Sequence, residues 1–343
     1  MNKRPLSPIV TLLMPFRNAA ATLTDCLDSI RGQSLASFEL LAVDDGSEDT
    51  SADLIGRAFR GDHRLRLLSP GQVGLVGALN LGLKAAQTPL IARMDADDIM
   101  HPQRLEKQVA YLNRHPQSAL VACRTSIFPE GSSGEGFRFY MQWQNRCITT
   151  QDMADEIYWE SPMAHPSVMF RRGVVMQLGG YREGLFPEDY DLWLRMAASG
   201  AVMAKLPETL LQWRDGPDRL SRTDPRCSRQ AFDKLRAHYL GRDPRLASER
   251  PLIIWGAGRN TRKRVKHLLN EGHTPDGWID IDPNKIGQRI WNAPVHAPAW
   301  LDRPHQPRPY VLNYVANHGA REMIERWLAS MCYRRGRDFL MVG

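Results

Sequence analysis

The 343-residue chain contains no stretch approaching the roughly 20 consecutive apolar residues that cross a bilayer. Its first residues, MNKRPLSPIVTLLMPF, combine a basic start with a short apolar run. Pro8 and Pro15 interrupt that run and no small-residue cleavage site follows, so it reads as a first strand rather than a signal peptide. Cysteine is scarce. The five residues Cys26, Cys123, Cys147, Cys227 and Cys332 form no CxxC pair, which argues against a disulfide framework or a zinc site and fits a reducing cytoplasm. There is no internal repeat, no long low-complexity tract and no DNA- or RNA-binding motif. The net charge of +7 comes from dispersed basic residues, so it points away from nucleic acid. It favours smaller anionic partners such as nucleotide diphosphates, or a phospholipid surface.

What is present is an ordinary globular composition, 43% hydrophobic and 24% charged, in a chain long enough for two domains. The first half alternates apolar strands (IVTLLM, FELLAV, LRLLS, PLIARM, ALVACR) with helical segments (TLTDCLDSI, GLVGALNLGLKAA, PQRLEKQVAYLNRH). Thr22 and Asp25 have capping-box spacing at the first helix, and Pro102 suits the first turn of the third. This alternation predicts an α/β fold with a mostly parallel sheet and helices on both faces. Residues 130–160 read as an irregular, aromatic insertion, and 210–225 as a basic loop. A second strand–glycine–helix start, RPLIIWGAGRNTRKRVKHLLNEG, opens near residue 250. The expected division is therefore 1–245 and a smaller Rossmann-like α/β domain at 246–343.

Ligands of open α/β sheets bind at the carboxyl ends of the strands. Two acidic groups fall at such ends: Asp44 and Asp45 after LLAV, and Asp95, Asp97 and Asp98 after LIARM. A third group, Glu188, Asp189 and Asp191, begins a helix. Like charges gathered on one rim repel unless a cation joins them. Mg²⁺ or Mn²⁺ takes carboxylate, phosphate and water oxygens, which makes Asp95 and Asp97 a plausible clamp for a nucleoside diphosphate. The competing role for Asp98 is a helix cap.

These segments, in this order, resemble glycosyltransferase family 2 over residues 7–222: VTLLMPFRNAAATLTDCLDSIRGQSLASFELLAVDDGSEDTS, GLVGALNLGLKAA, PLIARMDADDIMHPQRLEKQVAYL, HPSVMFRR and EDYDLWLRM. The resemblance implies a GT-A fold and a metal-dependent, inverting transfer of sugar from a nucleoside-diphosphate donor, UDP-linked by expectation. The acceptor would be a hydroxyl of a glycan or lipid-linked molecule in bacterial surface polysaccharide synthesis. It also implies roles. Pro15 and Asn18 lie beneath the nucleotide, Asp45 with Asp44 contacts base or ribose, Arg93 pairs with nucleotide or phosphate, Asp95 and Asp97 hold Mn²⁺ or Mg²⁺, and Asp189 is the general base. Gln72 and Phe16–Arg17 depart from the usual pattern and bear on nucleotide preference. His165, Glu188, Asp191, Trp193 and Arg214 are candidate substrate contacts. Trp193 has the alternative of core packing, and Arg214 sits with Trp213, Arg219 and Arg222 on a loop that could close over the diphosphate.

Asp189 has a separate chemical argument. A sugar hydroxyl attacks only as its proton is removed, and a carboxylate in a helix's first turn is held ionised by the helix dipole. In the C-terminal part, GAGRN lacks the third glycine of a dinucleotide fingerprint. Asp280 and Asp282 end the next strand, where a ribose-binding acid could sit, and Arg259, Arg262, Lys263, Arg264 and Lys266 crowd the following helix. That part reads as a ligand-binding, docking or dimerisation module, or as a basic face turned to a membrane, with the protein cytoplasmic and at the inner membrane face. The rival functions are a nucleotide-sugar-binding regulator without turnover, a sugar nucleotidyltransferase (which wants a Gly-rich basic loop where PFRNAAATL stands) and an oxidoreductase resting on the GxG alone.

Overall fold

The computed structural model describes residues 7–216, 219–317 and 319–343. Its contacts divide into two compact units, residues 1–150 with 162–224, and residues 151–161 with 225–343.

The first unit is built on an eight-stranded sheet. In chain order it contains β1 (Val10–Phe16), α1 (Leu23–Arg31), β2 (Phe38–Asp44), α2 (Ser51–Ala58), β3 (Leu65–Leu68), α3 (Gly74–Ala85), β4 (Leu90–Arg93), β5 (Ile99–Met100), α4 (Arg104–Arg114), β6 (Ser118–Phe128) and α5 (Glu135–Arg146). After α6 (Thr150–Glu156), which lies almost wholly in the second unit, come β7 (Met169–Arg171), α7 (Arg172–Gln177), α8 (Glu188–Ala198), β8 (Val202–Arg214) and α9 (Leu220–Thr223). The strand order is β3-β2-β1-β4-β7-β6-β8-β5. Strands β3, β2, β1 and β4 are parallel, and β7 runs antiparallel to both β4 and β6.

Every residue of β1 is buried, as expected of a central parallel strand covered on both faces. In α1, Leu23, Cys26, Leu27 and Ile30 recur at helical spacing and are the buried face. They pack with Leu12, Met14, Leu40 and Ala42 in the core of this unit. Helix α3 approaches β1 so closely that a Cβ on Gly82 would stand 2.1 Å from Leu13 Cδ1.

The structure departs from the sequence reading in places. Residues 135–146 are helical, not irregular, because Met141 and Gln144 fall on one buried face and the Gly/Ser cluster ends before them. Residues 210–214 belong to β8, held between β6 and β5, so sheet pairing outweighs a loop-like composition. Thr22 makes no side-chain cap. Its backbone is already helical (φ −115°, ψ −13°), and its hydroxyl donates to Ala19 O at 3.3 Å. Pro102 lies two residues outside α4.

The second unit holds α10 (Arg229–Leu240), β9 (Leu252–Trp255), α11 (Arg259–Asn270), β10 (Gly277–Ile279), β11 (Arg289–Ile290), β12 (Ala293–His296), β13 (Tyr310–Asn313), α12 (Ala320–Ser330) and β14 (Phe339–Met341). Its sheet has the order β11-β12-β10-β9-β13-β14, parallel except for the β11–β12 pair. The chain runs outward from β9 to β10 and β12, then returns to β9's other side with β13. That reversal opens a crevice at the strands' carboxyl ends.

Gly82→Ala adds a methyl that forces buried Leu13 to shift within a packed core, and should cost about 1–3 kcal/mol despite alanine's better helix propensity. Urea denaturation should show a lowered midpoint. An unchanged or raised midpoint would mean that α3 and β1 are not in such close contact.

Candidate active site

The carboxyl ends of β2, β1 and β4 lie side by side, with Phe16 in register with Asp44 and Leu13 with Arg93. On the β2 side, Asp44 accepts from Ser47 N at 2.8 Å. Asp45 Oδ1 accepts from Val73 N at 2.7 Å and Gly74 N at 2.8 Å, so this carboxylate holds the start of α3. Gly46 (φ +76°) lets the two loops approach, since a Cβ there would lie 3.2 Å from Gln72. Asn18 takes a left-handed conformation (φ 49°) that asparagine tolerates, and its Oδ1 accepts from Glu48 N at 2.8 Å. Pro15 is buried within β1.

Past β4, Asp95, Asp97 and Asp98 bring one oxygen each to within 4.8 Å of one another. Asp98 is fully buried. Its Oδ1 accepts from Arg214 N at 2.8 Å, while Oδ2 has no hydrogen-bond partner among the described residues. It is therefore not the cap of α4. Burial first, then Asp95 and Asp97, push the Asp98 carboxyl well above the usual range. The same influences, burial and then Asp95, push Asp97 up to about 6. Arg214 braces the turn further through Nε to Asp97 O at 2.7 Å and Nη2 to Asp25 at 3.1 Å. Arg219 stacks over Trp213 at 4.2 Å and Arg222 pairs with Asp215 at 2.7 Å, so these two arginines are tethered within their own loop.

A buried Asp98 oxygen without a donor among the described residues, beside an Asp97 carboxyl whose ionisation is suppressed, lacks a positive partner. The donor set is all oxygen, as hard divalent cations require. Asp95, Asp97 and Asp98 thus fit Mn²⁺ or Mg²⁺.

Beneath the cluster lie two buried arginines. Arg93 Nη2 stands 2.6 Å from Asp95 Oδ1, and its Nε has no hydrogen-bond partner among the described residues. Burial works against the charge on Arg93, but Asp95, Tyr181 and Glu188 outweigh it and raise its pKa. Arg104 Nη2 donates to Arg93 O at 2.8 Å. Arg104 and Gln108 are polar residues on the buried face of α4, and that misplaced polarity was the sequence signal for them.

The first turn of α8 faces the same guanidinium. Asp189 is half-buried, with Oδ1 accepting from Tyr190 N at 2.7 Å. Burial and then Glu188 push its carboxyl up to about 7, while the Tyr190 N–H and Arg93 pull the other way. The helix terminus is thus a lesser influence than the sequence argument supposed, and desolvation dominates. His165 Nε2 lies 2.8 Å from Tyr181 Oη, and Nδ1 lies 3.8 Å from Glu188 Oε1. Burial and Arg93 hold this imidazole well below its usual pKa, hence neutral. Asp191 is buried and bonded to Arg195 Nε at 2.8 Å. Of the two roles open to Trp193, the structure places it in the core, fully buried and edge-on to His165 at 6.0 Å.

The structure therefore gathers Arg93, Asp95, Asp97, Asp98, His165, Glu188, Asp189 and Arg214 around one rim. Asp44, Asp45 and Asn18 stand on the same rim across β1, with Asp45 turned to α3. Tyr181 carried no sequence signal.

A sheet of this order with an acidic turn after β4 is the architecture of a GT-A transferase. Residues 11–179 match the family model for glycosyl transferase family 2. The chain is 31% identical over 201 residues to the amylovoran biosynthesis glycosyltransferase AmsE of Erwinia amylovora, covering 58% of this chain and 73% of that one. It is 32% identical over 173 residues to the O-antigen biosynthesis glycosyltransferase WbnJ of Escherichia coli, covering 50% and 64%. Among solved structures, S. aureus TarS 1–349 in complex with UDP-GlcNAc aligns with a TM-score of 0.52 at 16% identity, covering 68% of this chain and 72% of that one. The mannosyltransferase PcManGT of Pyrobaculum calidifontis, in complex with GDP-Man and Mn²⁺, aligns at 0.50 with 19% identity, covering 79% and 71%. The chain belongs to glycosyltransferase family 2. No helix among the described residues is long and apolar enough to cross a membrane.

Asp97→Asn isolates one charge of the cluster. Well below about pH 4 the Asp97 carboxyl is neutral both folded and unfolded, and the variant should match the parent. As pH rises from about 4 to about 6 the unfolded carboxyl ionises while the folded one keeps its proton, so the parent loses stability that the variant keeps, and the difference levels off above about 6. In EDTA the variant should therefore gain stability over the parent between pH 4 and 7.5, by on the order of 1–2 kcal/mol after solvent screening. Denaturant midpoints across that range measure it. A pH-independent difference would contradict the assigned environment.

Proposed function

We propose that this glycosyltransferase moves a sugar from a nucleoside-diphosphate donor, UDP-linked by preference, to a hydroxyl of a glycan or lipid-linked acceptor, inverting the anomeric centre. Its place is bacterial surface polysaccharide assembly, on the cytoplasmic side of the membrane. The relatives named for amylovoran and O-antigen synthesis support that setting. The observation that carries the reading is Arg93. Its guanidinium pairs with Asp95 at 2.6 Å and also acts on Glu188 and Asp189, so the acidic turn and the candidate base share one site.

Asp95, Asp97 and Asp98 would hold Mn²⁺ or Mg²⁺, which when bound neutralises charge on the departing diphosphate. Asp189 takes the proton of the acceptor hydroxyl as its oxygen bonds to the anomeric carbon. The bond from that carbon to the diphosphate oxygen breaks with the electron pair leaving on the diphosphate, and single displacement inverts the centre. A carboxyl titrating near 7 is a stronger base than an exposed one and is still largely ionised just above neutrality. Arg93 keeps Asp95 oriented, and Arg214 bridges Asp25, Asp97 and Asp98 so that the turn keeps its shape. Neutral His165 positions Tyr181 beside Glu188 and is not itself a base at neutral pH. Asp44, Asp45 and Asn18 frame the nucleotide side of the rim.

Asp189→Asn should lower kcat by about 10²–10⁴ while donor affinity, read by calorimetry, stays within about twofold. In the parent, kcat should rise with pH through an inflection near 7 as Asp189 loses its proton. Retained turnover in the Asn variant would remove Asp189 from the base role. Donor binding with no turnover in the parent, across a panel of acceptors, would favour a binding protein.

A further inference from the structure

We propose that the second unit carries a separate binding site for a pyrophosphate-bearing nucleotide, at the carboxyl ends of β9 and β13. A cavity of about 1550 Å³ opens there, lined only by residues of 225–343. It is roomier than the roughly 300–1,000 Å³ common for small-molecule sites. It lies at the point where the strand order reverses, the usual crevice of an open parallel sheet.

Three features of its floor suit a phosphate group. Gly256, which lines the cavity, has φ +107°, and a Cβ on it would stand 3.0 Å from both Thr261 Oγ1 and Val315 Cγ2, so the turn there stays free of a side chain. Gly258 precedes the 12-residue α11 and provides no side-chain cap, and nothing lies within 4 Å of where its Cβ would be. The N–H groups of Arg259, Asn260 and Thr261 precede the first intrahelical bond, Arg262 N to Gly258 O at 3.0 Å. Such N–H groups and the helix dipole together favour an anion.

An independent observation points the same way. Thr261 is 8% exposed and lines the cavity, and its hydroxyl has no hydrogen-bond partner among the described residues. The hydroxyl is free to donate, and a phosphate oxygen over the glycine turn would accept from it. Arg259, Lys263 and Lys266 stand exposed at the rim, with no ion-pair partner among the described residues. In the first turns of a helix these charges oppose its dipole, and a bound anion would offset that. Arg264 is already committed to Asp233, Tyr314 O and Val342 O and serves as wall.

The remainder of the cavity suits a nucleoside. Ile281 and Met323 are 78% and 62% exposed at its edge, beside the half-buried ring of Trp327. These are apolar surfaces against which a base can lie. Asp280, by contrast, is not available to a ribose. Its Oδ2 accepts from Ala257 N at 2.8 Å and its Oδ1 from Asp282 N at 2.9 Å, and Lys285 stands 3.2 Å away. It secures the glycine turn, and recognition falls on the phosphates and the base.

Calorimetric titration of the full chain in EDTA, with ADP, UDP, NAD⁺, coenzyme A and inorganic pyrophosphate, tests the site and tells its nucleotide sources apart. At least one nucleotide should bind, and more tightly than pyrophosphate alone. Gly258→Asp places a carboxylate over the helix N-terminus in open space and should weaken that binding by about tenfold or more. Its neutral isostere Gly258→Asn should lose less. Both are favoured cap residues and should keep the melting temperature, which separates lost binding from lost fold. Absence of nucleotide binding, pyrophosphate binding as tightly as every nucleotide, or equal affinity in all three chains would overturn the proposal. Because Gly258 lies in the second unit, any of these leaves the transfer reading intact.

Discussion

The Arg93–Asp95 pair, 2.6 Å apart with the guanidinium almost wholly out of solvent, is the contact around which the first unit's site is arranged. A buried guanidinium survives only with opposite charge around it, and three groups provide that here: Asp95, Glu188 and, more weakly, Asp189. Arg93 closes β4, beside β1 at the centre of the sheet. The packing of that sheet thus fixes where the acidic turn and the first turn of α8 meet.

The balance of charge on this rim is incomplete. Arg93 and Arg104 lie beneath, and Arg214 braces from the side, yet Asp98 retains an oxygen with no donor among the described residues and burial holds Asp97 up to about 6. Folding alone would favour removing one carboxylate. Keeping all three is understandable if the protein's working state includes a cation and a diphosphate. Desolvation that makes Asp97 and Asp98 reluctant to ionise also raises Asp189 to about 7, so one physical cause shapes both the acidic turn and the first turn of α8.

Much of this was legible in the chain. Strands β1, β2 and β4 announced themselves as apolar runs, β2 and β4 ending in acids, and periodicity gave α1, α3 and α4. The order of five motifs identified the family. What the sequence hid was mostly a matter of which partner a polar group finds. Asp98 looked like a cap but reaches across 116 residues to Arg214 N. Asp45, expected at the nucleotide, also holds the start of α3 through Oδ1. Helix α5 lay behind a Gly/Ser stretch, and the pairing of residues 210–214 with β6 was masked by polar neighbours. Long-range pairing leaves no local signature, whereas periodicity does.

The central claim is that the acidic turn is a proton-suppressed cation site completed by a diphosphate. The direct measurement is calorimetry of UDP binding with Mn²⁺ at pH 6, repeated in buffers of different ionisation enthalpy. The account predicts Mn²⁺-dependent binding that releases protons at pH 6, as the metal displaces them from Asp97 and Asp98, and releases fewer at pH 8, where Asp97 is already ionised. Binding of equal strength in EDTA, or binding with no proton release at pH 6, would contradict it.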